Sequence, residues 1–370
     1  MRWLLLVVGL PIAGFLVLWL RPNRAEIDPR LSLEHWAAVA DGLHNSNTDL
    51  ILWQGDFLLV HDARPYHFGS PDARLVLRRS HDGREWTELA RFQVPGKDIR
   101  DPKLAIIGGK LFLYALPNSG VAATPEYTVV ATSEDAVHWT DFAPVEPSGW
   151  LLWRPKSPDG GRTWYAPAYW NEHGKSVLLR STDGLRFEQV SVIHDGDGND
   201  ETDLVFLPDG RALATARLEV TPDTVLGNYD GRTAIAVAEP PYTTWTTHES
   251  RLTRLDGPNL FVLDGVVYAV ARYQPDPNGF FTRMGGVLSR KRTALYRVEP
   301  ERLVRLSDLP SSADTSYAGV AVRDGALWVD WYTSRIDRDW PWLFGMALRT
   351  DIRMARIPLD ALREVSAAHP

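Results

Sequence analysis

The 370 residues contain no cysteine, 15 tryptophans and a formal net charge of −7. Zero cysteine excludes a disulfide framework, thiolate zinc or iron–sulfur sites and a cysteine nucleophile. The acidic balance argues against general nucleic-acid binding, which needs clustered Lys and Arg to displace phosphate counterions. With 44% hydrophobic and 24% charged residues the chain has a globular composition, and its 28 Gly and 26 Pro beside the tryptophans suit a turn-rich all-β fold.

Residues Trp3 to Leu20 form an uncharged apolar run of 18. As a helix it would be about 27 Å long, close to the hydrocarbon thickness of a bilayer. Arg2 precedes it, Arg21 and Arg24 follow, and no small-x-small cleavage site comes next. The expectation is an uncleaved N-terminal transmembrane anchor over 1–24, a linker and entry into the main domain over 25–44 and the main domain itself over 45–370, placed outside the cytoplasm.

From there one pattern recurs: a short apolar strand, a tight glycine turn and a second apolar strand. It appears in DLILWQGDFLLVHDAR, KLAIIGGKLFLYA, WLLWRPKSPDGGRTWYAPAYW, TDLVFLPDGRALATARLE, NLFVLDGVVYAVARYQ and YAGVAVRDGALWVDWYTS. The turn glycines Gly55, Gly109, Gly161, Gly210, Gly265 and Gly325 are 54, 52, 49, 55 and 60 residues apart. Six near-equal units predict a six-bladed β-propeller of four-stranded antiparallel blades, an architecture whose radial repetition leaves only short sheet edges.

A second element follows in the first three units. Ser80 to Trp86, Ser133 to Trp139 and Ser181 to Phe187 each read S-x-D-x-x-x-aromatic after a strand. Ser and Asp side chains bond the backbone of a tight turn, and the aromatic plugs the blade below. This resembles the Asp-box of the sialidase superfamily. The similar string Ser157 to Trp164 falls on an inner turn and is read as incidental, and the fourth unit carries only a degenerate version ending at Trp245.

In a propeller, the starts of the innermost strands and the ends of their hairpin partners converge on one face. The starts are Asn47, Asp101 beside Arg100, Arg154, Glu201, Gly257 and Tyr317. The returns are Asp62 with Arg64, Leu116, Ala168 with Tyr169, Arg217, Arg272 and Tyr332. An acidic protein thus gathers Arg100, Arg154, Arg217 and Arg272 toward one place, a set suited to paired hydrogen bonds with a carboxylate or sulfate.

These segments resemble the exo-sialidases, six-bladed glycoside hydrolases with a tyrosine nucleophile. ETDLVFLPDGRALATARLE is similar to the segment whose Glu is the catalytic base and whose Arg binds substrate, mapping to Glu201 and Arg217. NLFVLDGVVYAVARYQ offers Arg272 of the same triad, TSYAGVAVRDGALWVDWY offers Tyr317 as nucleophile, and HDARP offers Arg64. The resemblance implies a glycan substrate with a carboxylate at its anomeric carbon, a retaining mechanism and a loop acid, assigned to Asp72 with His67 or Asp62 as substitutes. The first triad Arg is replaced by Asn45-Ser46-Asn47, leaving Arg100 or Arg154 to take its role beside Asp62 and Asp101.

Two other readings stand. Arg100-Asp101-Pro102 and Asn47-Thr48-Asp49 resemble five-bladed furanosidases, with a carboxylate trio of Asp49, Asp101 and Glu201. A propeller that binds glycan or protein without catalysis is the third. The run Asp195 to Asp200 is read as a solvated turn, and His44, His67 and His194 are scattered and suggest no metal site. No nucleotide-binding glycine loop or redox-cofactor signature stands out, so no cofactor is expected.

Overall fold

The computed structural model describes residues 24–221, 226–227, 229–275 and 285–369, together with 9, 12–14, 16–17, 19 and 20. Its sheets form six four-stranded antiparallel blades. The first strand to appear, β1 (Glu34–Val39), is not part of the first blade. Blade 1 holds β2 (His44–Trp53), β3 (Asp56–Arg64), β4 (Arg74–Ser80) and β5 (Thr87–Phe92). Blade 2 holds β6 (Asp98–Ile107), β7 (Lys110–Asn118), β8 (Val129–Ser133) and β9 (Ala143–Pro144). Blade 3 holds β10 (Trp150–Leu152), β11 (Trp164–Trp170), β12 (Lys175–Ser181) and β13 (Glu188–Asp195). Blade 4 holds β14 (Asn199–Phe206), β15 (Ala212–Leu218), β16 (Arg232–Ala238) and β17 (Thr246–Ser250). Blade 5 holds β18 (Asp256–Leu263), β19 (Val266–Tyr273), β20 (Arg292–Glu299) and β21 (Arg302–Asp308). Blade 6 holds β22 (Thr315–Arg323), β23 (Ala326–Thr333) and β24 (Asp351–Pro358).

The fourth strand of blade 6 is β1, paired antiparallel with β24. Residues 34–39, in the segment expected as linker and entry, supply a blade strand: a strand from one end of the chain satisfies the edge left open by the other, closing the ring. Trp36 reinforces this closure. Its Nε1 donates to the Gly83 carbonyl at 2.9 Å, Arg84 covers its ring at 4.2 Å, and Trp328 of β23 meets it edge-on at 6.0 Å.

All six turn glycines have positive φ, from +69° at Gly325 to +92° at Gly161, the left-handed region that tight hairpins demand. The three Asp-box-like turns share one circuit: at Ser80, Ser133 and Ser181 the hydroxyl accepts the N–H three residues on, and the following Asp accepts the N–H groups two and three residues beyond itself. The string at Ser157 is not incidental. Gly161 N–H donates to Ser157 Oγ, Asp159 accepts from Arg162 and Thr163, and Trp164 Nε1 returns to the Gly161 carbonyl as Trp139 does to Ala136. The same turn chemistry has been placed on an inner hairpin, between β10 and β11.

Apolar residues on facing sheets form the core between blades, for example Leu58, Leu75 and Leu77 of blade 1 against Leu104, Leu111 and Leu113 of blade 2. Two short helices, α1 (Trp342–Ala347) and α2 (Leu359–Ala367), flank β24. Most of the apolar segment 3–20 lies outside the described residues, and among those described no helix is long and apolar enough to cross a membrane. The expected transmembrane helix is therefore not supported.

Trp36→Ala removes the ring that joins β1 to blade 1, and urea unfolding should show a loss of about 3 kcal/mol, as for other truncated tryptophans. An unchanged midpoint would mean that closure does not depend on this contact.

Candidate active site

The innermost strands share an irregularity that builds the site. Register shifts interrupt the pairing between Ser46 and Asp49, Arg100 and Lys103, Asn199 and Thr202, Asp256 and Asn259, and Ser316 and Gly319. Each is a bulge near the start of the strand, which breaks the in–out alternation and re-aims a side chain. Asn47, Asp101, Gly257 and Tyr317 sit in these bulges with φ between +43° and +59°. Asn47, Asp101 and Tyr317 line, together with Glu201, a cavity of about 180 Å³. A larger hollow of about 530 Å³ lies between the outer strands of blades 4 and 5 beside Arg211, Glu239, His248 and Glu301, none of them buried.

Tyr317 donates its hydroxyl hydrogen bond to Glu201 Oε1. The other carboxylate oxygen, Oε2, accepts from the Gly257 N–H at 2.6 Å and faces Arg217 Nη1 at 3.0 Å. Gly257 is required here on two counts: φ is +59°, and a Cβ would lie 2.9 Å from atoms of the Tyr317 ring. Burial pushes the Glu201 carboxyl above its ordinary value; Arg217 opposes this, while Asp200 and Asp256 add to it. Burial and the Glu201 charge hold the Tyr317 hydroxyl well above the usual phenol value. The pair is thus a neutral phenol donating to a carboxylate that takes a proton readily.

Arg100, Arg217 and Arg272 line the same cavity. Arg217 is gripped by Asp200 of its own hairpin, with Nε at 2.7 Å from Oδ1 and Nη2 on Oδ2. Arg272 Nε donates to Asp256 at 3.1 Å, and Arg100 Nε to Asp98 at 2.7 Å. The buried Nη1 of Arg272 has no hydrogen-bond partner, which leaves a donor for an incoming anion. Asp200 is therefore fully buried and holds an arginine instead of lying in a solvated turn.

Other expected site residues lie elsewhere. Arg154 runs beneath the cavity, donating to Asp49 at 2.8 Å, Pro258 O at 3.1 Å and Ala318 O at 2.9 Å, so it fastens blades together. Arg64 and Asp62 are fully buried and paired with each other, Arg64 also with Asp98 and Asp62 also with Ser46. Asp72 is exposed and does not line the cavity; its N–H turns back onto Ser70 Oγ at 3.2 Å. The furanosidase trio fails because Asp49 accepts the Leu104 N–H at 2.8 Å as well as Arg154 and does not line the cavity, while Tyr317, expected to be remote, bonds Glu201 directly. Asn47, where the first triad Arg was expected, donates to Asp101 at 2.5 Å.

The cavity also takes His67, His173, Glu219, Arg254 and Trp342. Arg254 precedes a bulged strand start by two residues, a signal that the chosen strand boundary hid. Trp342 arrives on α1 from the excursion between β23 and β24, which no repeat marks. His44 and His67, scattered in sequence, meet at Asp314.

No protein-family model matches the sequence, and no curated protein matches it. Known structures do. A Trypanosoma rangeli sialidase mutant displaying trans-sialidase activity matches with a TM-score of 0.67 at 12% identity, covering 93% of this chain and 61% of that one. The same organism's sialidase in complex with the inhibitor DANA gives 0.65 at 11%, covering 91% and 61%. A phage phi92 endosialidase gives 0.61 at 10%, covering 88% and 69%. The fold is the sialidase propeller. The chain spans about three fifths of the length of the trypanosomal structures it matches.

Gly257→Ala should cost about 1–2 kcal/mol from the left-handed backbone alone and displace the Tyr317 ring. Urea unfolding and a crystal structure of the variant check both, and an unmoved Tyr317 at unchanged stability would contradict the stated constraint.

Proposed function

We propose that this protein is a retaining exo-glycoside hydrolase acting on a sugar whose anomeric carbon carries a carboxylate. The hydrogen bond from Tyr317 to Glu201, in one cavity with Arg217 and Arg272, carries the reading. An anionic nucleophile would be repelled by such a substrate, whereas a neutral phenol is not, and it becomes nucleophilic as its proton passes to Glu201. Arg272, whose Nη1 makes no hydrogen bond and lies 3.9 Å from Asp314, and the neighbouring Arg217 and Arg100 would bind the carboxylate. Tyr317 Oη would attack the anomeric carbon while the bond to the leaving oxygen breaks, giving a glycosyl-tyrosine that water then opens with retained configuration. The small cavity suits one terminal ring, and the resemblance to sialidases in fold agrees with this chemistry.

The discriminating experiment is a panel of aryl glycosides of acidic and neutral sugars offered to wild type, Tyr317→Phe and Glu201→Gln. Turnover should be confined to the carboxylate-bearing sugars, vanish in Tyr317→Phe and fall about 10²–10⁴-fold in Glu201→Gln, the usual contribution of a general base. Turnover of neutral sugars only, or full activity in Tyr317→Phe, would exclude the mechanism.

The reaction should also lose rate on the acid side at a pH above the ordinary carboxylate range. Glu201 must be unprotonated to accept the tyrosine proton, and its folded-state value is raised, so it protonates earlier as pH falls. A kcat/KM profile with its acid limb at an ordinary glutamate value would contradict this assignment.

A further inference from the structure

The Tyr317 and Glu201 pair leaves one requirement of that mechanism unmet, a proton for the departing oxygen. We infer that His67, held by Asp314, is the general acid and base of this site, in place of the carboxylic acid that Asp72 was expected to supply. The inference rests on the reading above.

His67 sits on the loop joining β3 to β4, pinned by its N–H to the Met346 carbonyl at 2.9 Å. Its Nδ1 is 2.7 Å from Asp314 Oδ2, and because a carboxylate only accepts, Nδ1 is the donor. That contact fixes the tautomer and leaves Nε2 as the nitrogen that exchanges a proton. The ring lines the same cavity as Tyr317 and Glu201 and is packed edge-on against Trp342 at 5.6 Å.

Asp314 is built to orient a histidine. It is fully buried, His44 Nε2 reaches the same Oδ2 at 3.1 Å, and its Oδ1 accepts from Trp342 Nε1 at 2.8 Å and the Tyr332 hydroxyl at 3.1 Å. Three donors, His67 Nδ1, Trp342 Nε1 and the Tyr332 hydroxyl, already reach this carboxylate, and His44, whose Nδ1 donates to the Leu348 carbonyl at 2.7 Å, packs beside it. Burial pushes His67 below its ordinary value, opposed by the Asp314 charge, which favours the imidazolium.

Of the other titratable residues that line the cavity beside the Tyr317 and Glu201 pair, His173 faces Asp200, which already holds Arg217, and Glu219 pairs with Arg217 and Arg254, while position separates His67 from Asp101. In exo cleavage the leaving group extends toward solvent. The His67 side chain is partly exposed, whereas Asp101 is buried and engaged by Asn47. In the first step the His67 imidazolium gives its Nε2 proton to the glycosidic oxygen as Tyr317 Oη bonds the anomeric carbon and Glu201 takes the phenol proton. In the second, neutral Nε2 takes a proton from water as its oxygen displaces Tyr317, whose oxygen recovers the proton from Glu201. Protons and bonds balance over the cycle.

The test compares leaving groups in wild type, His67→Gln, His67→Asn, Asp314→Asn and Asp101→Asn, with each variant's thermal unfolding recorded. Probes are the methyl and 4-nitrophenyl glycosides of the acidic sugar, and its 3-fluoro glycosyl fluoride, whose fluoride departs without an acid. Both His67 variants should lose about 10²–10⁴-fold on the methyl glycoside, far less on the rate of 4-nitrophenol release, and keep labelling Tyr317 with the fluoride. Azide should rescue their turnover and yield the glycosyl azide of retained configuration. Asp314→Asn should follow the same leaving-group pattern more weakly, and Asp101→Asn should lose equally on both glycosides. Equal losses for the His67 variants, or the leaving-group dependence appearing in Asp101→Asn instead, would overturn the role of His67 while Tyr317 labelling in wild type upheld the nucleophile. Wild type left unlabelled at Tyr317 would overturn the underlying reading and this inference with it.

Discussion

A single buried carboxylate organises the arginines on which this cavity depends. Asp256 has no solvent exposure and lies 3.0 Å from Arg254 Nε, 3.1 Å from Arg272 Nε and 3.5 Å from Arg217 Nη1. Three cations gathered in a low-dielectric cleft would repel one another, and one uncompensated buried charge costs several kcal/mol. Asp256, with Asp200 on Arg217, neutralises part of that charge and holds each guanidinium in place beside the cavity. The arginines are positioned donors in a lattice of acids, which reconciles a local cluster of positive charge with a net −7.

The backbone supplies the second constraint. Were the inner strands regular, consecutive side chains would alternate between facing blades, and few would point along the propeller axis. A bulge at the corresponding place in five of the six inner strands turns the chain there, so that Asn47, Asp101, Gly257 and Tyr317 share a left-handed conformation and Asn47, Asp101 and Tyr317 share one cavity. The residues just past the bulges do the opposite task. Asp49 accepts the Leu104 N–H of the next blade and Asp203 accepts the Leu260 N–H, at 2.8 and 2.7 Å. Polar groups at the axis thus divide between a face that presents chemistry and a floor that fastens blades.

Much of this was legible from the turn glycines. Once Gly55, Gly109, Gly161, Gly210, Gly265 and Gly325 are set as hairpin tips, counting along each strand brings Tyr317, Glu201, Arg217, Arg272, Arg100 and Asp101 to one end. The same count misled at Arg154, Arg64 and Asp62, which lie at the correct end but are consumed by buried ion pairs. Asp72 failed for another reason. Loop 65–73 follows no period, and its shape is set by contacts with Met346 and Val121 from distant parts of the chain.

The sequence by itself determined the six blades, their turns and the end of the propeller that holds Tyr317 and Glu201, because hairpin tips and strand alternation are local properties that repeat along the chain. Tertiary structure alone decided which acid neutralises which arginine, that β1 completes blade 6, and that His67 meets Asp314. Those partners lie far apart in sequence, 247 residues for His67 and Asp314. No local pattern encodes such pairs: they arise when closure of the ring brings separate blades to a common axis, where each buried charge must find its counter-charge.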